Sequence, residues 1–205
     1  EKMLFHVKNN DIYSPSGNLL ININKLKIPG KHNLYNFLAA ATCAHSLGIP
    51  VDHIKEVMKN FNGIEHRLEY VTKINEIAFF NDSKSTNIHS VIVAIKSFYN
   101  PIILILGGYN KGTNFRLLLP HIKSSHVRDI VSYGEAGGHI NTALGDAVRS
   151  IQVNDLNSAV NKAHLMAAPG DIVLLSPGCA SYDQFPNYEV RGKFFKKFVN
   201  NLVSK

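Results

Sequence analysis

The chain contains no apolar run approaching the roughly 20 residues that a transmembrane helix needs. Its opening residues, EKMLFHVKNN, lack the long apolar core of a secretory signal. Both absences argue against a helical membrane anchor in this sequence and set a cytoplasmic expectation. Cysteine is scarce: Cys43 and Cys179 are far apart and form no CxxC pair. That pattern excludes a disulfide framework and a CxxC metal or redox centre, fits a reducing compartment, and leaves both as small residues expected to be buried or half-buried. None of the ten histidines stands in HExxH or beside acids at usable ligand spacing, so the sequence yields no metal ligand. A GxxGK(S/T) phosphate loop is missing too; GGYNKGT at 107–113 lacks its spacing.

What is present is globular material. The 205 residues, 45% hydrophobic and 18% charged, exceed one typical domain and fall short of two comfortable ones. A formal net charge of +7 suits nucleic acid, a membrane surface or small anions. Lys and Arg are scattered, however, and the densest cluster, RGKFFKK at 191–197, alternates with Phe194, Phe195 and Phe198. It reads as the solvated basic face of an amphipathic terminal helix, so neither nucleic acid nor membrane is the expected partner. The chain opens on Glu1, amid strand-like material, and reads as the tail of a longer chain.

Residues 4–30 hold short β-type runs, LFHV, DIY and LLINI, separated by NND and SPSG, which predicts a small antiparallel meander. Two helices follow. Leu34, Phe37, Leu38 and Ala41 share one face of the first, which stops at Gly48, and Ile54, Val57, Met58 and Phe61 share one face of the second. Asn62 and Gly63 break the pattern and mark the expected domain boundary. Beyond it strands and helices alternate. LEYV and EIAFF predict a hairpin, Ile88 to Ile95 a helix, and PIILIL at 101–106 a strand buried on both faces. Further strands are expected at 128–133, 150–153 and 171–176, and a helix through Leu156, Ala159, Val160 and Ala163. The fold class is therefore α/β, with a mostly parallel, doubly wound, Rossmann-like sheet that places ligand sites beyond the strands' carboxyl ends.

FFNDSKSTN at 79–87 ends an apolar run in seven polar residues without Gly or Pro, which a plain surface turn does not explain. It reads as strand end, loop and helix start, where side chains and helix amides face an anion. LGGYNKGTNF at 106–115 and SPGCASYDQFPNYEVRG at 176–192 hold equivalent positions after their own strands. Ser83, Lys84, Thr86, Lys111 and Ser181 would thus share one rim suited to carboxylates or phosphates.

Those three segments, with GKHNLYN at 30–36 and EHR at 65–67, resemble the C-terminal part of a Mur ligase. NDSKSTN and SPGCASYDQFPNYEVRG are closest to the pattern of its D-glutamate-adding members. The resemblance implies residues 1–64 as the end of an ATP-binding central domain and 65–205 as the C-terminal, amino-acid-binding domain. The implied reaction is ligation of D-glutamate to UDP-N-acetylmuramoyl-L-alanine in bacterial peptidoglycan synthesis. ATP, with Mg2+, first phosphorylates the substrate carboxylate to an acyl phosphate, which the amine of D-glutamate attacks. By the same analogy Thr86, Lys111, Ser181, Tyr182 and Tyr188 hold D-glutamate, Lys84 stands by the transferred phosphoryl group, and Asn33, Asn36, Arg67 and Asp82 contact nucleotide. The family's phosphate loop, magnesium ligands and carbamylated lysine have no counterpart here, so this stretch alone is expected to be inactive. The full-length protein is expected to be a monomer. Asn110 and Asn114 stand where the family usually has aspartates. Two rivals remain, a non-enzymatic Rossmann-like sensor of amino acid or nucleotide and a basic nucleic-acid-binding domain.

Overall fold

The computed structural model describes residues 4–28 and 30–203, and the chain divides into two compact units, Glu1–Gly63 and Ile64–Lys205. In the first unit, strands β1 (His6–Lys8), β2 (Asp11–Tyr13) and β3 (Leu19–Asn22) form the expected antiparallel meander in that spatial order. Asn9 and Asn10 turn the first hairpin at φ 51° and 64°, the left-handed pair whose twist matches the strands and which asparagine tolerates. Helices α1 (Lys31–Ser46) and α2 (Val51–Asn60) follow. Ile12, Leu20 and Ile21 pack against Phe37 and Ala41 of α1 and Ile54 and Met58 of α2. Val57, expected on the buried face, is 62% exposed within its unit. At 3.6 residues per turn it lies about 100° from Met58, at the margin of the apolar stripe. Cys43 is likewise exposed rather than buried, because position 43 falls on the outer side of α1, whereas Cys179 is buried.

The second unit opens with a hairpin of β4 (Glu69–Ile74) and β5 (Ile77–Asn81), turned at Asn75 and Glu76 with φ 49° and 64°. Parallel strands β6 (Ile102–Gly107), β7 (Val127–Tyr133), β8 (Arg149–Val153) and β9 (Ile172–Gly178) complete a sheet ordered β4-β5-β9-β6-β7-β8. The connecting helices are α3 (Ile88–Ile95), α4 (Leu119–Lys123), α5 (Gly137–Leu144) and α6 (Leu156–Met166), and α7 (Tyr188–Val203) follows β9. Alternation along β6 explains its unbroken apolar run: Ile102, Leu104 and Leu106 pack with α3, α4 and α5, while Ile103 and Ile105 pack with α6 and α7.

The chain moves outward from β5 through β6 and β7 to β8, then returns through α6 to seat β9 between β5 and β6. Right-handed crossovers put α3, α4 and α5 on one face, and the reversal puts α6 and α7 on the other. Register brings the carboxyl ends together, with Asn81 beside Leu175 and Gly107 beside both Gly178 and Tyr133. Open α/β sheets bind ligands beyond the strands' carboxyl ends where strand order reverses, and that point lies at β5, β9 and β6.

The C-terminal basic cluster departs from its reading as a solvated face. Arg191 and Phe195 have no exposed surface, while Lys193 and Lys197 are exposed. A helical residue's exposure follows its angle about the axis, and Arg191 shares the inward side with Phe195 at i+4.

Candidate functional site

Three loops leave the reversal point: 82–87 after β5, 108–114 after β6, and 179–187 after β9. In the first, Asn81 is fully buried, and its carbonyl oxygen accepts from the Ser83 amide (3.1 Å), starting a tight Asx turn. Its amide nitrogen donates to His66 Nδ1 and to Glu69 Oε2, both at 2.9 Å. The segment before β4 folds over the same loop. The Leu68 amide donates to Asp82 Oδ1 (3.2 Å), and the Lys84 amide donates to the His66 carbonyl (3.0 Å). Holding that path puts His66 and Leu68 at φ 66° and 44°, a left-handed backbone costing about 1–3 kcal/mol each. Burial lowers the His66 pKa, against the opposing pull of Glu65 and Glu69.

Asp82 is 6% exposed, and its carboxylate accepts from Ser176 Oγ (2.9 Å) besides Leu68. Burial raises its pKa to about 7, with Ser176, Leu68 and the charge of Arg67 pulling the other way. Lys84 is exposed, its ammonium 5.4 Å from the centre of the Tyr188 ring. Thr86 is half-buried, and the next residue, Asn87, caps α3 by accepting from the Ser90 amide (3.0 Å).

In the second loop Gly107 and Gly108 adopt φ 145° and 125°. A Cβ there would meet the Tyr133 carbonyl oxygen at 2.1 Å and that of Ala180 at 2.3 Å, so only glycine allows this approach. The Tyr109 amide then donates to Ala180 O (2.9 Å), joining the second loop to the third. Asn110 Oδ1 accepts from the amides of Gly112 and Thr113, both at 3.1 Å, and Asn114 Oδ1 accepts from Arg116 N (3.2 Å) at the head of a 3-10 turn. Both asparagines therefore supply a neutral carbonyl oxygen where the loop needs an acceptor, which an aspartate oxygen would also do. Lys111 is exposed, 5.7 Å from the centre of the Tyr182 ring, and Tyr182 lies 6.4 Å from Tyr109.

The third loop ties the rim together. Ser181 is 2% exposed, and its carbonyl accepts from the amides of Gln184 (3.1 Å) and Phe185 (2.8 Å). Asp183 Oδ2 accepts from the Glu135 amide (3.2 Å) beyond β7. Gln184 bonds the Leu156 amide (3.2 Å) and the Asn154 carbonyl (2.9 Å) before α6. Arg191 reaches back from α7: Nε donates to Ser83 Oγ (2.9 Å), Nη2 to Ser83 O (2.8 Å), and Nη1 to the carbonyls of Cys179 (3.0 Å) and Ala180 (3.1 Å). Ser83 Oγ in turn donates to the Tyr188 carbonyl (2.7 Å).

The sequence-derived residues Asp82, Lys84, Thr86, Lys111, Ser181, Tyr182 and Tyr188, with Arg67 exposed at the hairpin entry, thus lie within the second unit on these loops and their supports. Asn33, buried, and Asn36, exposed, lie in the first turns of α1 in the other unit. Asp183, Gln184 and Arg191 escaped the residue-level reading although all stand inside the quoted third segment. Their work is backbone hydrogen bonding across the fold, which no spacing displays. Among the described residues, Glu65, His66 and Glu69 bring potential ligand atoms within 4.8 Å of one another. Lys196 Nζ already bridges the two carboxylates, at 2.7 Å from Glu65 and 2.8 Å from Glu69.

The domain model described as Mur ligase, glutamate ligase domain, matches residues 66–179. The UDP-N-acetylmuramoylalanine--D-glutamate ligase of Bacillus mycoides is 40% identical over 200 residues, covering 97% of this chain and 44% of the relative. That of Clostridioides difficile is 43% identical over 201 residues, covering 96% and 44%. The chain thus spans less than half the length of the curated relatives it matches. Among solved structures, a UDP-N-acetylmuramate-alanine ligase of Thermotoga maritima superposes with a TM-score of 0.66 at 16% identity, covering 95% of this chain and 43% of that one. The MurF ligase of Thermotoga maritima in complex with ADP gives 0.61 at 12% identity, covering 96% and 46%. At such identities the structures speak for the fold alone. With more than half its length matched by the domain model, the chain belongs to the Mur ligase family through its glutamate ligase domain.

Proposed function

We propose that this chain supplies the amino-acid site of an ATP-dependent ligase that joins D-glutamate to UDP-N-acetylmuramoyl-L-alanine through an acyl phosphate. Residues 1–64 are read as the end of its central domain and 65–205 as its C-terminal domain. The observation that carries the reading is the pairing of two exposed lysines with tyrosine rings at one rim: Lys84 over Tyr188 on one side, Lys111 over Tyr182 on the other. D-glutamate brings carboxylates and the activated precursor a phosphoryl group, and cations on separate loops suit two anionic groups held side by side.

In this reading Lys111 meets a carboxylate as a point charge, Thr86 and Ser181 offer hydroxyl donors, and Tyr182 and Tyr188 wall the site. A carboxylate is a poor acyl donor until phosphorylated, and Lys84 stabilises the negative charge of the transferred phosphoryl group. Asn33, Asn36, Arg67 and Asp82 remain the nucleotide candidates. Ribose hydroxyls donating to Asp82 would favour its ionised form and offset the burial that raises its pKa. A magnesium ion does not fit the Glu65, His66 and Glu69 cluster, whose carboxylates are held by the Lys196 ammonium. No step is assigned to that cluster.

The test is phosphate release from ATP by the full-length protein, given UDP-N-acetylmuramoyl-L-alanine with D-glutamate, L-glutamate or other amino acids in turn. Release that needs both the precursor and D-glutamate is expected. Release independent of both would leave the amino-acid or nucleotide sensor as the better reading.

A further inference from the structure

Arg191 is an arginine with no exposed surface and, among the described residues, no carboxylate within 4.0 Å of its guanidinium. All of its hydrogen-bond acceptors are neutral, the hydroxyl and carbonyl of Ser83 and the carbonyls of Cys179 and Ala180, and the Asp183 carboxyl feels its charge without forming an ion pair with it. A buried charge is ordinarily paired, because desolvation is costly. Two further facts fix where this one acts. Its Ser83 partner immediately precedes Lys84 and holds the first residue of α7, Tyr188, through the carbonyl. Its Cys179 and Ala180 partners immediately precede Ser181, and Ala180 is also the residue on which the Tyr109 amide closes the second loop. One side chain therefore sets the spacing among segments that carry Lys84, Tyr188 and Ser181. Gly108 belongs to the same node, since a Cβ there would lie 3.1 Å from Arg191 Nη1.

We propose that Arg191 is a positioning residue with an electrostatic share in binding: it locks the loop of Lys84 and Thr86 to the loop of Ser181 and Tyr182, and the bound anionic amino acid serves as its counter-charge. The inference rests on the amino-acid site proposed above. Because the guanidinium is enclosed, it touches no ligand and acts through the loops and through its field, which is weakly screened in a buried setting. A planar fork reaching several acceptors at once is a geometry that lysine cannot reproduce.

The experiment compares Arg191→Met, Arg191→Lys and Ser83→Ala in the full-length protein. It reads KM for D-glutamate, KM for ATP, and the unfolding midpoint with and without saturating D-glutamate. Arg191→Met is expected to raise the D-glutamate KM at least tenfold with the ATP KM within twofold, and to halve or abolish the upward midpoint shift that D-glutamate produces. Arg191→Lys, which keeps the charge without the fork, should recover part of that shift. Ser83→Ala, the milder change, should raise the D-glutamate KM about threefold and carries the test if Arg191→Met does not fold. An arginine with a merely structural role would lower the ligand-free midpoint and leave the D-glutamate KM and shift intact in the folded variants, which overturns the proposal. Native protein that turns over with D-glutamate while the variants match it overturns the role of Arg191 alone. Native protein indifferent to D-glutamate overturns the amino-acid reading and this inference with it.

Discussion

Asp82 and Asp129 are both nearly buried, yet their environments push them in opposite directions. Asp82 meets hydroxyl and amide donors under a loop, and burial raises its pKa to about 7. Asp129 also loses solvent, but the guanidiniums of Arg149 and Arg128 outweigh that loss and hold its carboxyl below the ordinary 3.8. A carboxyl whose folded pKa lies above its unfolded value stabilises the fold in its protonated form. The contribution of Asp82 is therefore full below about 3.8 and is lost as pH rises through about 7. Asp82→Asn, which keeps an acceptor for the Leu68 amide, is expected to remove that slope. Unfolding midpoints of the native and variant proteins measured from pH 4 to 8 should converge at the acid end, with the variant gaining relative stability as pH rises towards 7 and no more beyond it. Parallel curves would mean that Asp82 ionises normally. His66 has the opposite tendency, neutral when buried and destabilising as it protonates, so the difference between the two proteins, not either curve alone, reports Asp82.

At the scale of elements, Asp129 ties the amino-terminal ends of three strands together. It sits on β7, receives Arg149 from β8 at Nε, and shares Arg128 with Asp171 at the entry to β9 (2.7 Å). This cluster lies at the end of the sheet opposite the loops, so its loss should weaken the scaffold and leave the rim chemistry alone. Asp129→Asn is expected to cost about 2 kcal/mol at neutral pH, the scale of hydrogen bonds to charged groups. Because the folded pKa is depressed, that stabilisation is present above about 3.8 and disappears as pH falls through the folded value. Denaturant melts from pH 7 down to pH 2 check this: a loss that stays the same size throughout would refute the ionic origin. Most of these elements were legible in the sequence. The PIILIL run, the FFNDSKSTN transition and the capped helix at 156–166 each carry their pattern locally. Arg191 was not legible as a buried group, because RGKFFKK has the composition of a wet face and only the angle of α7 against the sheet turns Arg191 inward.

At the scale of the whole molecule, the two compact units and the missing phosphate loop make one expectation concrete. Residues 1–205 alone should release no phosphate from ATP with every substrate supplied. Residues 64–205, which hold their own two-faced core, should fold alone and show a higher unfolding midpoint with millimolar D-glutamate. Calorimetry on that segment, with L-glutamate as the control, checks it; turnover by the 205-residue chain would upset the division of labour proposed here. The sequence by itself determined the elements, the parallel α/β class and the three polar strand ends, because periodicity, turn residues and strand-to-loop transitions are local and need only neighbours along the chain. Only the tertiary structure decided that β9 enters between β5 and β6 and that Arg191, with no ion pair among the described residues, joins Ser83 to Cys179 and Ala180. Both outcomes depend on groups about 70 to 110 residues apart, β9 against β5 and β6 and Arg191 against Ser83, meeting in a desolvated interior, where each donor must find an acceptor that the chain's order does not announce.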